Sequence, residues 1–80
     1  MNILILSSGR RVEVINYFKL FFHRYNSKVY TADMSPYSAA LYEGDKSFLL
    51  NKDFENLDKY VDDVIDVCKS NSISAVLTLI

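Results

Sequence analysis

The chain has 80 residues, half of them hydrophobic and 24% charged, which is enough for one small domain with a core and excludes a disordered segment. A formal net charge of −1 gives no bulk attraction to nucleic acid or to an anionic membrane, and no apolar run is long enough to span a bilayer. The single cysteine, Cys68, cannot close an internal disulfide, and Met1-Asn2 leads into an apolar run rather than a basic signal segment, so a cytoplasmic setting is expected.

Ile3-Leu4-Ile5-Leu6 is a continuous apolar run, the pattern of a strand buried on both faces. Ser7-Ser8-Gly9 breaks it. From Arg10 to about Tyr25 the period becomes helical: Val14, Ile15, Phe18, Phe21, Phe22 and Tyr25 share one face, while Glu13, Asn16, Lys19, His23 and Arg24 share the other. Lys28 to Ala32 reads as a second strand, closed by Asp33. Ser35-Pro36 has the form of a helix start, with the helix running to about Tyr42. Gly44-Asp45 turns the chain into a third strand, Ser47 to Leu50. After a polar loop, Leu57, Tyr60, Val61, Val64, Ile65 and Cys68 form the apolar stripe of a second long helix. Asp58, Asp62, Asp63 and Asp66 fall on its solvated face. Ala75 to Ile80 is a fourth strand. Alternation of this kind predicts a truncated Rossmann-like α/β fold in three layers, with a four-stranded parallel sheet in the order 3-2-1-4.

In such a sheet, ligands bind beyond the carboxyl ends of the strands. Ser7, Ser8, Gly9, Arg10 and Arg11 converge there with Asp33 and Ser35. A serine–glycine turn at a helix start presents N–H groups and a partial positive charge to an anion, and arginines grip carboxylate or phosphate in bidentate fashion. The plainer reading is a serine cap flanked by solvated arginines. Two cations at a helix N-terminus oppose the dipole, which favours a compensating anion. Asp33 stands where a dinucleotide fold keeps its ribose-binding acid, and equally where an acid would cap the following turn. A nicotinamide fingerprint needs three glycines, and this loop has one. Cys68 reads as a buried thiol and His23 as a surface residue without metal partners. The tyrosines read as packing residues, and no catalytic or metal-ligating set emerges.

The opening strand followed by S-S-G-R-R-V-E resembles the start of carbamoyl-phosphate synthase-like ATP-grasp proteins, in the subgroup that includes the pyrrolysine-biosynthesis ligase. T-A-D-M-S-P-Y-S-A-A-L-Y, E-G-D-K and the final V-L-T-L-I are similar to that family as well, so the resemblance covers essentially the whole chain. It implies that residues 1–80 are a pre-ATP-grasp domain, on the substrate side of an ATP-dependent carboxylate–amine ligase. By matching position, Ser8, Gly9, Arg10, Arg11 and Asp33 would line the cleft for a small carboxylate- or phosphate-bearing substrate. ATP and Mg²⁺ are implied for the full-length family. The nucleotide-clamping sheets, ATP lysines and magnesium carboxylates have no counterpart in these 80 residues, so no cofactor and no catalysis are expected of them alone. The alternative is a stand-alone Rossmann-like module that binds a nucleotide or small anion. The fourth strand, residues 75–80, is expected at a sheet edge without charge or proline, which predicts self-association.

Overall fold

The computed structural model describes residues 1–78. Its elements in chain order are β1 (Asn2–Leu6), α1 (Val12–His23), β2 (Val29–Asp33), a 3-10 helix (Ala39–Glu43), β3 (Lys46–Leu49), α2 (Leu57–Ser70) and β4 (Ile73–Thr78). The four strands form one parallel sheet in the order β3-β2-β1-β4, as the alternating pattern predicts. Residues 79 and 80, the end of the expected fourth strand, lie outside the described residues.

Side-chain alternation along β1 divides the core in two. Ile3 and Ile5 point toward α1 and pack with Ile15, Val29 and Ala40, flanked by Phe18, Phe22 and Ala75. Leu4 points the other way, with Tyr30 and Ala32, onto Val64, Val67 and Cys68 of α2. The two long helices therefore lie on opposite faces, and β1 is buried from both sides. Leu4, Ile5 and Ile15 have no exposed surface, and burial of such a side chain is worth about 1.5–3 kcal/mol. The register of β1 against β4 shifts between Asn2 and Ile3, so Ala75, Val76, Leu77 and Thr78 stand beside Ile3 to Leu6 in turn.

Local chemistry moves some boundaries. The first helix starts at Val12, because Arg10 and the adjacent Gly9 form a turn before it. It ends where Asn26 adopts a left-handed φ of 57° and Ser27 donates its N–H to the Phe22 carbonyl at 3.0 Å. Ser35-Pro36 does not begin a helix. Ser35 Oγ accepts the Tyr37 N–H at 3.2 Å, Ser35 O accepts the Ser38 N–H, and the Ala40 N–H is drawn to the Gly9 carbonyl at 2.9 Å. Helical bonding thus begins three residues after Pro36 and takes the tighter 3-10 form. Phe21 and Tyr25, expected on the buried face of α1, are 53% and 67% exposed, because α1 reaches the sheet through Ile15, Phe18 and Phe22. Tyr37 and Tyr42 are also exposed rather than packed.

Gly44 is the position where a side chain would not fit. A Cβ there would lie 2.9 Å from both the Val29 carbonyl oxygen and Thr31 Cγ2. Thr31 is fully buried and its hydroxyl donates to the Leu41 carbonyl. The next residue, Asp45, is fixed at both ends: its N–H donates to Val29 O at 2.7 Å, and its carboxylate accepts the Val29 N–H at 2.7 Å and faces His23 Nε2 at 2.9 Å. A contact between residues 22 apart in the chain joins the end of α1 to the start of β3.

Candidate functional site

Loops after β1 and β2 meet at the carboxyl edge of the sheet. Their junction is Asp33, the last residue of β2. One carboxylate oxygen accepts the Gly9 N–H at 2.9 Å, and the other accepts the N–H groups of Met34 at 2.7 Å and Ser35 at 3.4 Å. Burial pushes the Asp33 carboxyl up, but hydrogen bonds from the Gly9 N–H, the Ser38 side chain and the Ser35 and Met34 N–H groups outweigh it. The carboxyl is held below its ordinary value. Asp33 thus stays ionised and both its oxygens are engaged within the protein. It works as a clamp on the first loop.

The loop so held is conformationally unusual. Ser7 has a φ of 54° and Gly9 one of 57°. Glycine accepts this without cost, whereas the left-handed region costs a serine roughly 1–2 kcal/mol. Ser8 is fully buried, and its Oγ has no hydrogen-bond partner. A buried hydroxyl left unpaired costs about 1–3 kcal/mol. Strain and an unpaired polar group therefore fall on adjacent residues of one loop.

Downstream, α1 begins without a side-chain cap. Val12 donates its N–H to Arg10 O and Ile15 to Arg11 O, while the N–H groups of Glu13 and Val14 have no acceptor among the described residues. These exposed donors carry the positive end of the helix dipole. They open onto a cleft of about 480 Å³ lined by Arg10, Arg11, Val12, Glu13 and Val14. Arg10 and Arg11 are exposed and form no ion pair among the described residues. Two guanidinium groups and free N–H donors make an environment suited to an anion, and Glu13 is its one opposing charge.

Of the residues expected at the site, Gly9, Asp33 and Ser35 are joined directly by hydrogen bonds. Ser8 is linked to β2 through its N–H to Ala32 O at 3.5 Å, and its carbonyl accepts the Arg11 N–H. Arg10 and Arg11 line the neighbouring cleft. Ser38 was not legible as a site residue, since nothing in its spacing marks it as a partner of Asp33. Lys52 and Tyr60 were also missed. Lys52 Nζ lies 5.5 Å from the Phe54 ring centroid and 5.7 Å from that of Tyr60. Burial and the nearby Asp33 charge push the Tyr60 phenol up.

Among the described residues no group of three His, Cys, Asp or Glu side chains could hold a metal ion, and both Asp33 oxygens are occupied by N–H donors. A second groove, along α1, is lined by Val14, Tyr17, Phe18, Phe21 and Phe22 and offers almost no polar group. Among the described residues no helix is long and apolar enough to cross a membrane.

A family model described as PylC-like, N-terminal domain matches residues 3–80. No curated protein matches the chain.

Proposed function

The chain belongs to the PylC-like N-terminal domain family, and from that premise we propose that it is the substrate-side, pre-ATP-grasp domain of an ATP-dependent carboxylate–amine ligase of the ATP-grasp superfamily. The observation that carries the reading is the family match across residues 3–80, and the parallel 3-2-1-4 sheet supports it. ATP and Mg²⁺ belong to the reaction of such a ligase, where the nucleotide activates a carboxylate. In this reading the 80 residues contribute binding and orientation to that reaction, and catalysis needs the rest of such a ligase. A cytoplasmic setting fits the lone cysteine.

Within that role, the β1–α1 segment receives an anionic group of the substrate, a carboxylate or a phosphate. Arg10 and Arg11 supply the charge, and the Glu13 and Val14 N–H groups supply direction. Ser7, Ser8 and Gly9 shape the loop. Asp33, with Ser35 beside it, fixes the loop through the Gly9 N–H and excludes a second anion from that donor. Holding the anion before the chemical step lowers the entropic cost of bringing the reacting groups together.

Amide NMR during phosphate titration tests the site. Shifts concentrated at Arg10 to Val14, and lost in the Arg10→Ala/Arg11→Ala double variant, are the expected result. Shifts spread evenly over the surface would sink the anion site. Turnover of Mg-ATP by the pure 80-residue chain, abolished by Arg11→Ala, would overturn the non-catalytic role.

A further inference from the structure

The segment after β3 lies outside the cleft lined by Arg10 to Val14. It leaves the sheet beside Asp33, because the Leu50 N–H donates to the Asp33 carbonyl at 3.0 Å. It then lays Lys52 across two rings. Lys52 Nζ is over the Phe54 ring, 5.5 Å from its centroid, and over the Tyr60 ring, 5.7 Å from its centroid. Cation–π attraction acts within roughly 6 Å of a ring centroid, so both rings hold the ammonium. Phe54 belongs to the loop and Tyr60 is the fourth residue of α2, so the two walls stand on different elements. Neither ring packs in the two core clusters, and Phe54 is 75% exposed.

The charges around this pair favour a cation. Residues 53–58 hold three acids, Asp53, Glu55 and Asp58, and no base. Asp33, kept ionised by the loop it clamps, adds another negative charge. Its field reaches Tyr60, whose phenol is pushed up by burial and then by that charge. Lys52 forms no ion pair among the described residues, so its ammonium is held by the rings and not by a carboxylate. An oxyanion drawn to Lys52 would meet those same acids, so the lysine does not mark a second anion site.

We propose that Phe54 and Tyr60 form a subsite for an alkylammonium group, which Lys52 occupies in the ligand-free chain. Lys52 is itself an alkylammonium, and its position displays the contact that a ligand makes. A ligand enters by displacing the lysine, whose flexible four-carbon stem lets the charge swing into solvent. Two cations then compete for one pair of rings, and the lysine weakens the apparent affinity for any amine that arrives. In a carboxylate–amine ligase the subsite would hold an ammonium of a substrate. That role rests on the ligase reading, whereas the binding rests on the ring pair and its charges.

The test is amide NMR of the 80-residue chain titrated with butylammonium chloride, against sodium chloride at equal ionic strength and against butanol. Shifts concentrated at Phe54 and Tyr60 are expected with butylammonium and with neither control. Lys52→Ala removes the internal occupant and should tighten butylammonium binding about three- to tenfold, because cation–π contacts near the surface are individually weak. Adding Phe54→Leu to that variant should undo the gain, and the exposure of Phe54 makes the change tolerable to the fold. Adding Tyr60→Phe instead, which keeps the ring, should preserve the gain. A Lys52→Ala chain that binds butylammonium no better than the parent overturns the proposal. So does an equal response to butanol, which would mark a merely apolar contact. Phosphate shifts at Arg10 to Val14 come from a separate titration, so the failure of either site leaves the other standing.

Discussion

Replacing Asp33 tests whether one carboxylate organises the site loops. Asp33→Ala removes the acceptor of the Gly9 N–H at 2.9 Å, the Met34 N–H at 2.7 Å and the Ser35 N–H at 3.4 Å. A hydrogen bond to a charged group contributes about 1.5–3 kcal/mol. The Met34 bond is exposed and the Ser35 bond is long, so both are discounted. The total is then about 2–4 kcal/mol, dominated by Gly9. A domain of this length has roughly 4–12 kcal/mol in all, so the loss is a large fraction of its stability. Asp33→Asn keeps one acceptor oxygen, which can serve Gly9 or the Met34–Ser35 pair but not both, and should cost about 1–2 kcal/mol. Urea unfolding followed by far-UV circular dichroism measures both variants, and the Gly9 amide shift reports the local change. The pH dependence has a defined sign. The folded carboxyl lies below its ordinary value, so its contribution is complete above about pH 4 and fades as pH falls through the folded value. The gap between the parent and Asp33→Asn should therefore close in acid. Parent-like stability of Asp33→Ala, within about 0.5 kcal/mol, or an unmoved Gly9 amide, would refute the clamp.

Gly44→Ala should destabilise by about 1–3 kcal/mol, because the new methyl meets the Val29 carbonyl and buried Thr31 at 2.9 Å; a thermal midpoint equal to the parent's would show that the strand yields. Asp45→Ala should cost about 1–3 kcal/mol, since the Val29 N–H of a buried strand loses its acceptor, and His23→Ala should cost about 0–1 kcal/mol as half of an exposed pair. Burial raises the Asp45 carboxyl, but the His23 hydrogen bond, the Val29 N–H and the His23 and Lys19 charges hold it below its ordinary value. Its contribution should thus persist above about pH 4 and fall away in acid, as thermal scans at several pH values would reveal. Ser8→Ala should leave the ligand-free protein equally stable or more stable, by up to about 1 kcal/mol, because an unpaired buried hydroxyl is removed; a clear loss in urea unfolding would mean that the hydroxyl is already satisfied.

The sheet order was legible because strands and helices alternate along the chain, and because α2 keeps its apolar stripe in register for fourteen residues. Sequence period failed where a segment answers to distant partners. Ser35-Pro36 has the chemistry of a helix start, yet the Ala40 N–H bonds to Gly9 O, 31 positions earlier, and reshapes the segment. Phe21 and Tyr25 were expected on the face of Ile15, but α1 meets the sheet through Ile15, Phe18 and Phe22 and leaves them exposed. At the site, the serine–glycine turn and the two arginines were recognisable from composition. The engagement of Asp33 by the first loop was not, since a carboxylate at a strand end serves a ligand or a backbone equally well. Ser38, Lys52 and Tyr60 join that edge only through tertiary packing.

The place of β1 at the centre of the sheet also governs when the domain can become complete during synthesis. Ile3 to Leu6 are made 72 residues ahead of Ala75 to Thr78, yet one of their two hydrogen-bonding sides is filled only by that later strand. At roughly 5–20 residues per second, the nascent strand waits on the order of 4–14 s for that partner. Until then the central strand is an edge, and Leu4 and Ile5, which later have no exposed surface, lie beside an unfilled position. Every strand pairing here is parallel and therefore non-local, so the search for contacts is slow as well as late. The interval during which β1 is open to a wrong strand is thus set by the distance in sequence between the two ends of this sheet, and a chaperone that shields apolar edges would act in that interval.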